Sequence, residues 1–245
     1  TEVTNEEALQ AEIERLNPAE ILIPEGSQYA ALELRRGVRQ QPPWYFDREA
    51  AHRALNTQFQ TQDLRGFGCE HLSTAIAAAG CLLEYLKDTQ RSELPHLQSM
   101  REEKLSDSVV LDAASRRNLE IDRNLNGGEE HTLFSVFAST VTAMGGRHLR
   151  RWLHRPINDV VELNARLDAV DELLAHYGFE TVREQLKPIG DVERILARVA
   201  LGSARPRDLT RLCDSLGALP LIQSALPQSG ERLQTIAARL GHYPE

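Results

Sequence analysis

Long apolar runs are missing from this sequence. None approaches the roughly 18 consecutive apolar residues of a membrane-spanning helix, and hydrophobic residues make up 41% of the chain against 26% charged residues. This balance predicts a soluble globular protein without a membrane partner, and 245 residues suffice for two ordinary domains. An initiator Met and a signal peptide are also missing. Residues 1–4 resemble the end of a strand, so we expect a piece of a longer chain.

Cysteine is scarce. Cys69, Cys81 and Cys213 form no CxxC pair and have no histidine at metal-ligand spacing. Their odd number argues against a disulfide framework and fits a reducing cytoplasm. Because Cys81 lies in an apolar helical pattern, we expect it in the core.

Motifs for nucleotide binding and catalysis are missing too. The sequence contains no GxxxxGKS or GxxxxGKT loop, the phosphate-binding loop of many ATPases. The close glycine pairs Gly66/Gly68 and Gly145/Gly146 are interpreted as turns or tight packing. We therefore predict no catalytic residue, no metal site and no bound cofactor in this chain.

Acidic residues exceed basic ones, but unevenly. Residues 1–110 carry 11 Lys and Arg against 18 Asp and Glu, a net charge of −7, whereas residues 111–245 carry 17 against 18. A phosphate backbone repels an acidic surface. The first part is therefore expected to dock proteins rather than DNA.

The first part of the chain predicts an α/β unit. The short apolar run at residues 21–23, closed by Pro24 and Gly26, is typical of a buried strand. Since one strand cannot form a sheet, further strands are expected upstream or within 33–46 and 105–112. The apolar spacing predicts three helices, the second with Asp47 as its N-cap, at 5–16, 47–59 and 70–88.

The third of these helices has a clear apolar side and a run of small residues. Leu72, Ile76, Leu83 and Leu86 define the side expected to be buried. The small residues at 77–80 allow another backbone to approach closely.

After about residue 112 the pattern is helical almost throughout, and residues 89–108 read as a linker. The helix at 159–175 places Val160, Leu163, Leu167, Val170 and Leu174 in a heptad-like stripe, which predicts a packed seam. Prolines separate the other helices, which are predicted at 132–138, 144–154, 179–187, 191–201, 206–217 and 229–240.

The helix at 144–154 carries a cluster of arginines: Arg147, Arg150, Arg151 and Arg155. Such a stripe can make weak contacts to DNA phosphates. It can equally pair with acidic neighbours in a helical bundle while the arginine stems pack. Trp152 on the same helix is expected in the bundle core.

Several stretches, taken in order, resemble the MutS family of DNA mismatch repair proteins, the bacterial members most closely. The four main stretches are 17–22 (NPAEIL), 79–90 (AGCLLEYLKDTQ), 111–121 (LDAASRRNLEI) and 146–156 (GRHLRRWLHRP). Two further stretches support them, 191–198 (DVERILAR) and 204–209 (ARPRDL).

The resemblance implies a fold for each part of the chain. Residues 1–108 would form a ribonuclease-H-like α/β connector domain whose N-terminal strands are missing. Residues 109–245 would form the first part of an all-α helical lever, or core, domain.

The resemblance also implies a division of labour. The full-length protein would be a cytoplasmic, nucleoid-associated homodimer that binds mismatched duplex DNA, uses ATP and Mg²⁺, and recruits MutL. The mismatch-reading and ATPase domains would lie outside this chain. This piece would itself be a non-enzymatic monomer that couples those domains.

Site residues follow from the same resemblance. Arg53 and Asp88 would lie on the MutL-docking face of the connector. Arg116, Arg117 and Asn118 would form a junction or hinge, for which a buried polar arrangement is the simpler interpretation. Two other functions stay open: a free-standing helical protein–protein adaptor, and a nucleic-acid-binding regulator built around the arginine helix.

Overall fold

The computed structural model describes residues 1–29, 32, 35–91, 93–227 and 230–241. Contacts within the chain define two compact units. The first contains Thr1–Ser106 and Val110–Leu119, and the second contains Asp107–Val109 and Glu120–Glu245. The domain boundary predicted at residue 108 stays a prediction. No helix in the described ranges is both long enough and apolar enough to cross a membrane.

In the part of the first unit that the structure describes there are four α-helices and two strands. Its elements are α1 (Glu6–Leu16), β1 (Ile21–Pro24), β2 (Val38–Gln41), α2 (Arg48–Phe59), α3 (Ser73–Gln90) and α4 (Ala113–Asn118). Asp47 caps α2 as predicted, because its carboxylate accepts a hydrogen bond from the Ala50 amide at 2.7 Å. Asn5 caps α1 in the same way through the Ala8 amide.

The two strands form a small parallel sheet in which Ile21 lies opposite Val38. The strand expected within 33–46 is therefore confirmed. Within 105–112 the structure forms only an isolated bridge, between Ser108 and Ile157 of the second unit. Helices dominate the described residues, so the protein is a mostly helical fold with a small sheet. Two strands do not define a ribonuclease-H-like topology, which stays a prediction.

The core of the first unit forms where α2 packs against α3. Ile76 and Leu83 are buried there, with Leu72 and Leu86 partly buried beside them, which confirms the predicted apolar side of α3. Cys81 is also buried, as expected.

The small residues of α3 allow the two helices to approach closely, as predicted. A Cβ atom on Gly80 would lie 2.6 Å from the Cα of Ala51 on α2. No side chain fits at that separation, so the packing of α2 on α3 requires glycine at this position.

The second unit is a helical assembly. Its helices are α5 (Leu133–Phe137), α6 (Ala143–His154), α7 (Val160–Leu174), α8 (Gly178–Leu186), α9 (Val192–Ala200), α10 (Pro206–Gly217), α11 (Leu219–Ala225) and α12 (Glu231–Arg239). All were predicted to within a few residues except α11. Asp159 and Asp191 cap α7 and α9 by accepting backbone N–H bonds.

The seam predicted on α7 is wrong. Leu167, in the middle of the stripe, is 64% exposed, and the other four stripe residues are exposed as well. The side of α7 that is buried carries Ala169 and Leu173, which pack against Leu226 and Leu233. The buried side is therefore rotated by one residue step, about 100°, from the stripe. Periodicity identified a helix with two apolar sides and did not identify the one that packs.

The close approach of α2 and α3 generates a stability prediction. Replacing Gly80 with Leu should destabilise the protein by about 2 kcal/mol or more, because the added atoms force the two helix backbones apart. Ala78→Leu, at an exposed position of the same helix, is the matched control and should change stability by less than about 0.5 kcal/mol. Urea unfolding measures both variants, and equal stability of the two would contradict the role of Gly80.

Candidate functional site

Arg147 on α6 makes a two-point contact with one carboxylate and a further contact with a second. Its two terminal nitrogens donate to the two carboxylate oxygens of Asp191 at 2.8 and 2.7 Å, and one also donates to Glu193 at 2.6 Å. Asp191 caps α9 and Glu193 lies in its first turn. A paired, two-point guanidinium–carboxylate contact fixes both distance and orientation. Arg147 therefore fastens α6 to the start of α9.

The electrostatics of this contact agree with its geometry. Hydrogen bonding to Asp191 and Glu193 raises the pKa of Arg147 above its ordinary value. Hydrogen bonding to Arg147 lowers the pKa of Asp191, against the opposing effect of its partial burial. Both groups stay charged over the whole physiological range.

Arg150 belongs to a second polar cluster, one turn further along α6. It donates to Asp122 at 2.9 Å and lies over the Phe134 ring, 4.4 Å from its centroid. The Nε2 atom of His154 lies 3.0 Å from the same carboxylate. The hydrogen bond to His154, with the charges of Arg150 and Arg123, lowers the pKa of Asp122. This cluster fixes the segment before α5 to α6.

The last two arginines of the cluster differ from the first two. The Nε atom of Arg155 donates to the Ser108 hydroxyl at 3.3 Å, beside the bridge between Ser108 and Ile157. Arg151 is exposed, and its side chain makes no hydrogen bond or ion pair within the described ranges. The four arginines thus face different partners, and their contact with DNA phosphates stays a prediction.

Trp152 is not in a bundle core, contrary to expectation. Its side chain is 39% exposed, and the Arg166 guanidinium of α7 lies 3.9 Å from its ring centroid. Arg166 also donates to Glu162, which accepts two further bonds from Arg232 of α12. Cation–π and ion-pair contacts therefore join α6, α7 and α12 at the surface.

The predicted junction lies in α4, which packs against α1. Arg116 is partly buried and its Nε atom donates to the Leu111 carbonyl at 3.2 Å, whereas Arg117 and Asn118 are exposed. The buried polar interpretation is therefore wrong for the last two residues. The first unit ends one residue after them, at Leu119. A hinge at these residues stays a prediction.

Arg53 and Asp88 are both exposed, as the docking prediction requires. Arg53 on α2 is 72% exposed and lies 3.9 Å from Glu49, one turn earlier on the same helix. Asp88, near the end of α3, accepts a bond from the Tyr45 hydroxyl at 3.4 Å, and its charge raises the pKa of that phenol. Their role in binding MutL stays a prediction.

The arginine and carboxylate side chains described above act through charge, as ion pairs and charged hydrogen bonds. Within the described ranges, no three His, Cys, Asp or Glu side chains are arranged to hold a metal ion. The paired arginines and carboxylates hold their charges and fix helix positions.

The acidic partners were not identified from the sequence. Asp122, Asp191 and Glu193 lie 28 to 46 residues from their arginines. The only sequence signal was the stretch at 191–198, whose first and third residues turned out to be the partners of Arg147.

Comparison with protein families gives two matches that together cover most of the chain. Residues 1–98 match the model of MutS domain II, and residues 114–241 match the model of MutS domain III. The second match alone spans more than half of the 245 residues. The two matches occur in the order that the resembling stretches indicated.

The Asp122 cluster predicts a dependence of stability on pH. A carboxylate whose pKa is lowered by folding stabilises the fold fully above its ordinary value of 3.8, and the contribution is lost as pH falls through the lower folded value. Asp122→Asn should therefore lose less melting temperature than the wild type between about pH 6 and about pH 2. Asp171→Asn, an exposed carboxylate on α7, is the control and should keep the wild-type loss. Identical acid profiles for all three proteins would contradict a stabilising role for Asp122.

Proposed function

The chain belongs to the MutS family, and from this premise we propose that it is the connector and the first part of the lever of a mismatch repair protein. In this role it couples mismatch binding to ATP hydrolysis, two activities carried by domains outside this chain. The connector has the ribonuclease-H-like topology of the family, completed by further strands. ATP and Mg²⁺ bind to the full-length homodimer, which works in the cytoplasm at the nucleoid.

The observation that supports coupling is the contact of Arg147 with Asp191 and Glu193. A part that transmits motion between distant domains must resist bending, because a soft connection absorbs the displacement locally. Two-point ion pairs between helices supply such resistance, since they fix orientation as well as distance. The contacts of Glu162 with Arg166 and Arg232 add a second cross-connection on α7 and α12.

The position of the unit boundary supports a hinge. Arg116, Arg117 and Asn118 lie in a six-residue helix that ends one residue before the first unit does. Hinges form at element ends, where a few residues absorb a change in backbone angles. Exposed side chains at 117 and 118 allow that change without disturbing a core.

Weakening the Arg147 contact should reduce coupling in the full-length protein. We expect Arg147→Gln to make the ATP-induced loss of mismatched-duplex affinity roughly fivefold smaller. Duplex affinity without nucleotide and ATPase rate without DNA should stay unchanged. The measurements are fluorescence anisotropy with and without ATP, and steady-state hydrolysis.

Arg151→Gln is the matched control for this experiment, because Arg151 lies on the same helix, is exposed and has no ion pair within the described ranges. It should behave like the wild type in all three measurements. Arg147→Gln could instead lower the ATP-induced affinity change, the duplex affinity without nucleotide and the ATPase rate without DNA, together with the melting temperature. In that case the contact supports the fold and not the coupling.

The first unit is proposed to bind MutL through the surface around Arg53 and Asp88. Its acidic net charge favours a protein partner over DNA. Both side chains are exposed, and the separation of 3.9 Å between Arg53 and Glu49 leaves the guanidinium largely available. Exposed charges at a docking surface act mainly on the encounter rate.

Reversing both charges should weaken MutL binding with little effect on stability. We expect Arg53→Glu with Asp88→Lys to lower the affinity of the full-length protein about tenfold at low salt, and less at high salt. Arg36→Glu with Glu25→Lys is the matched control, since both residues are exposed in the same unit and the net charge is again unchanged. Equal affinity of the docking variant and the control would exclude this surface.

A further inference from the structure

A basic groove lies between α9 and α10 in the second unit. Its volume is about 790 Å³ and it opens to solvent. The floor is formed by Ile189, Gly190 and Ile195, and five cationic side chains line the groove. They are Lys187, Arg194, Arg198, Arg207 and Arg211.

Three acidic side chains also line the groove, and two of them are held by arginines, one outside the groove and one within it. Asp191 is held by Arg147, which lies outside the lining. Asp208 is buried, accepts a bond from the Arg205 amide at 3.0 Å and pairs with Arg198 at 2.9 Å. Only Asp214 has no hydrogen-bonding or ion-pair partner within the described ranges. The groove therefore keeps an excess of positive charge.

Arg207 and Arg211 supply most of that excess. Both are exposed, and neither makes an ion pair or a side-chain hydrogen bond within the described ranges. They lie one turn apart on α10, so their stems leave the same side of the helix about 5–6 Å apart. Arg194 and Arg198 have the same spacing on α9, and Arg194 makes only a long contact of 3.5 Å to Asp191.

Gly190 in the floor makes room for this arrangement. A Cβ atom at this position would lie 2.7 Å from the Cγ of Arg211. Because glycine leaves that space open, the side chain of Arg211 lies directly over the floor, with its Cγ and Nε atoms closest to Gly190. The Gly190 amide is itself fixed by a bond to the Ser215 hydroxyl at 2.9 Å.

The lining indicates the chemical class of the ligand. Guanidinium groups bind phosphate oxygens in a planar, two-point geometry and suit rows of phosphates. No aromatic side chain lines the groove, so it offers no platform on which a base could stack. We propose that the groove between α9 and α10 binds the phosphate backbone of duplex DNA, weakly and without regard to sequence.

This proposal places DNA contact on a different surface from the arginine helix α6. Arg147 and Arg150 of α6 are held by carboxylates, whereas Arg207 and Arg211 are not. The groove contacts phosphates and no bases, so a mismatched and a fully paired duplex should bind equally. Phosphate binding by the groove is a function beyond the proposed coupling role, and the coupling role does not depend on it.

The first test measures binding of the 245-residue chain to a fluorescent duplex as salt is varied. Arg207→Gln with Arg211→Gln should weaken binding about tenfold at low salt and reduce the slope of log K against log salt by about 2, close to 0.9 per lost phosphate contact. Arg123→Gln with Arg239→Gln removes the same charge from exposed sites elsewhere in the unit and should leave the slope unchanged. Equal loss in the two variants, or loss in the second alone, would overturn the proposal.

The second test uses a variant that should bind the duplex more tightly. Partial unfolding of a variant would not produce such a gain. Asp214→Asn removes the one unpaired acid of the groove and should tighten duplex binding about twofold to threefold. Asp171→Asn, with the same charge change on α7, should not. A gain in neither variant, or in both, would contradict a role for the groove.

Two probes distinguish the ligand class. A mismatched duplex should bind as the paired one does, and a preference for the mismatch would show that bases are read and would overturn backbone contact. Polyglutamate at equal charge concentration should displace the duplex poorly. Equal displacement would show a general polyanion site and would overturn the assignment to phosphates.

Discussion

The second unit depends on the contact between Arg147 and the first turn of α9. Asp191 is at once the N-cap of α9 and a two-point acceptor for Arg147. The same contact also affects the charge of the groove between α9 and α10. Asp191 pairs mainly with Arg147, so it neutralises Arg194 in the groove less. A carboxylate that serves as a helix cap cannot move without exposing backbone donors. The position of α6 is therefore tied to the integrity of α9, and a force applied to one reaches the other.

Polar contacts between elements add to the apolar core in holding this unit together. Most of the buried apolar residues described in this unit form two small clusters, one around Ala169 and Leu226 and one around Ile189 and Ile222. Around them, Asp122, Glu162 and Asp208 each accept bonds from arginines on other elements. Small cores leave helices free to slide, whereas directional ion pairs fix their positions. The proposed coupling role requires contacts of the second kind.

The first unit is built differently. Its larger core cluster includes the contact between α2 and α3, possible because Gly80 lets the helices touch at Ala51, and a smaller cluster packs α1 against the two strands. Charged residues such as Arg53 and Asp88 lie outside that core, at exposed positions. A rigid helix pair with an acidic exterior is suited to docking another protein, and it does not resemble a surface for DNA. The two units are thus held together by different kinds of contact.

The sequence by itself determined the features that depend on neighbouring residues. It located the helix starts at Asp47 and Asp159, the buried side of α3 and the close approach at Gly80, because caps and apolar spacing act within a few residues. Family membership followed from motifs in their order along the chain. Tertiary structure alone decided which side of α7 is buried, since that helix is apolar on two sides and the packing of Leu226 and Leu233 selects one. It also decided which carboxylates pair with the arginines. The pairing of β1 with β2 was likewise decided by tertiary structure, because Val38 is the only apolar residue of β2. Those contacts join residues far apart in the chain, and local patterns carry no information about which distant residues meet.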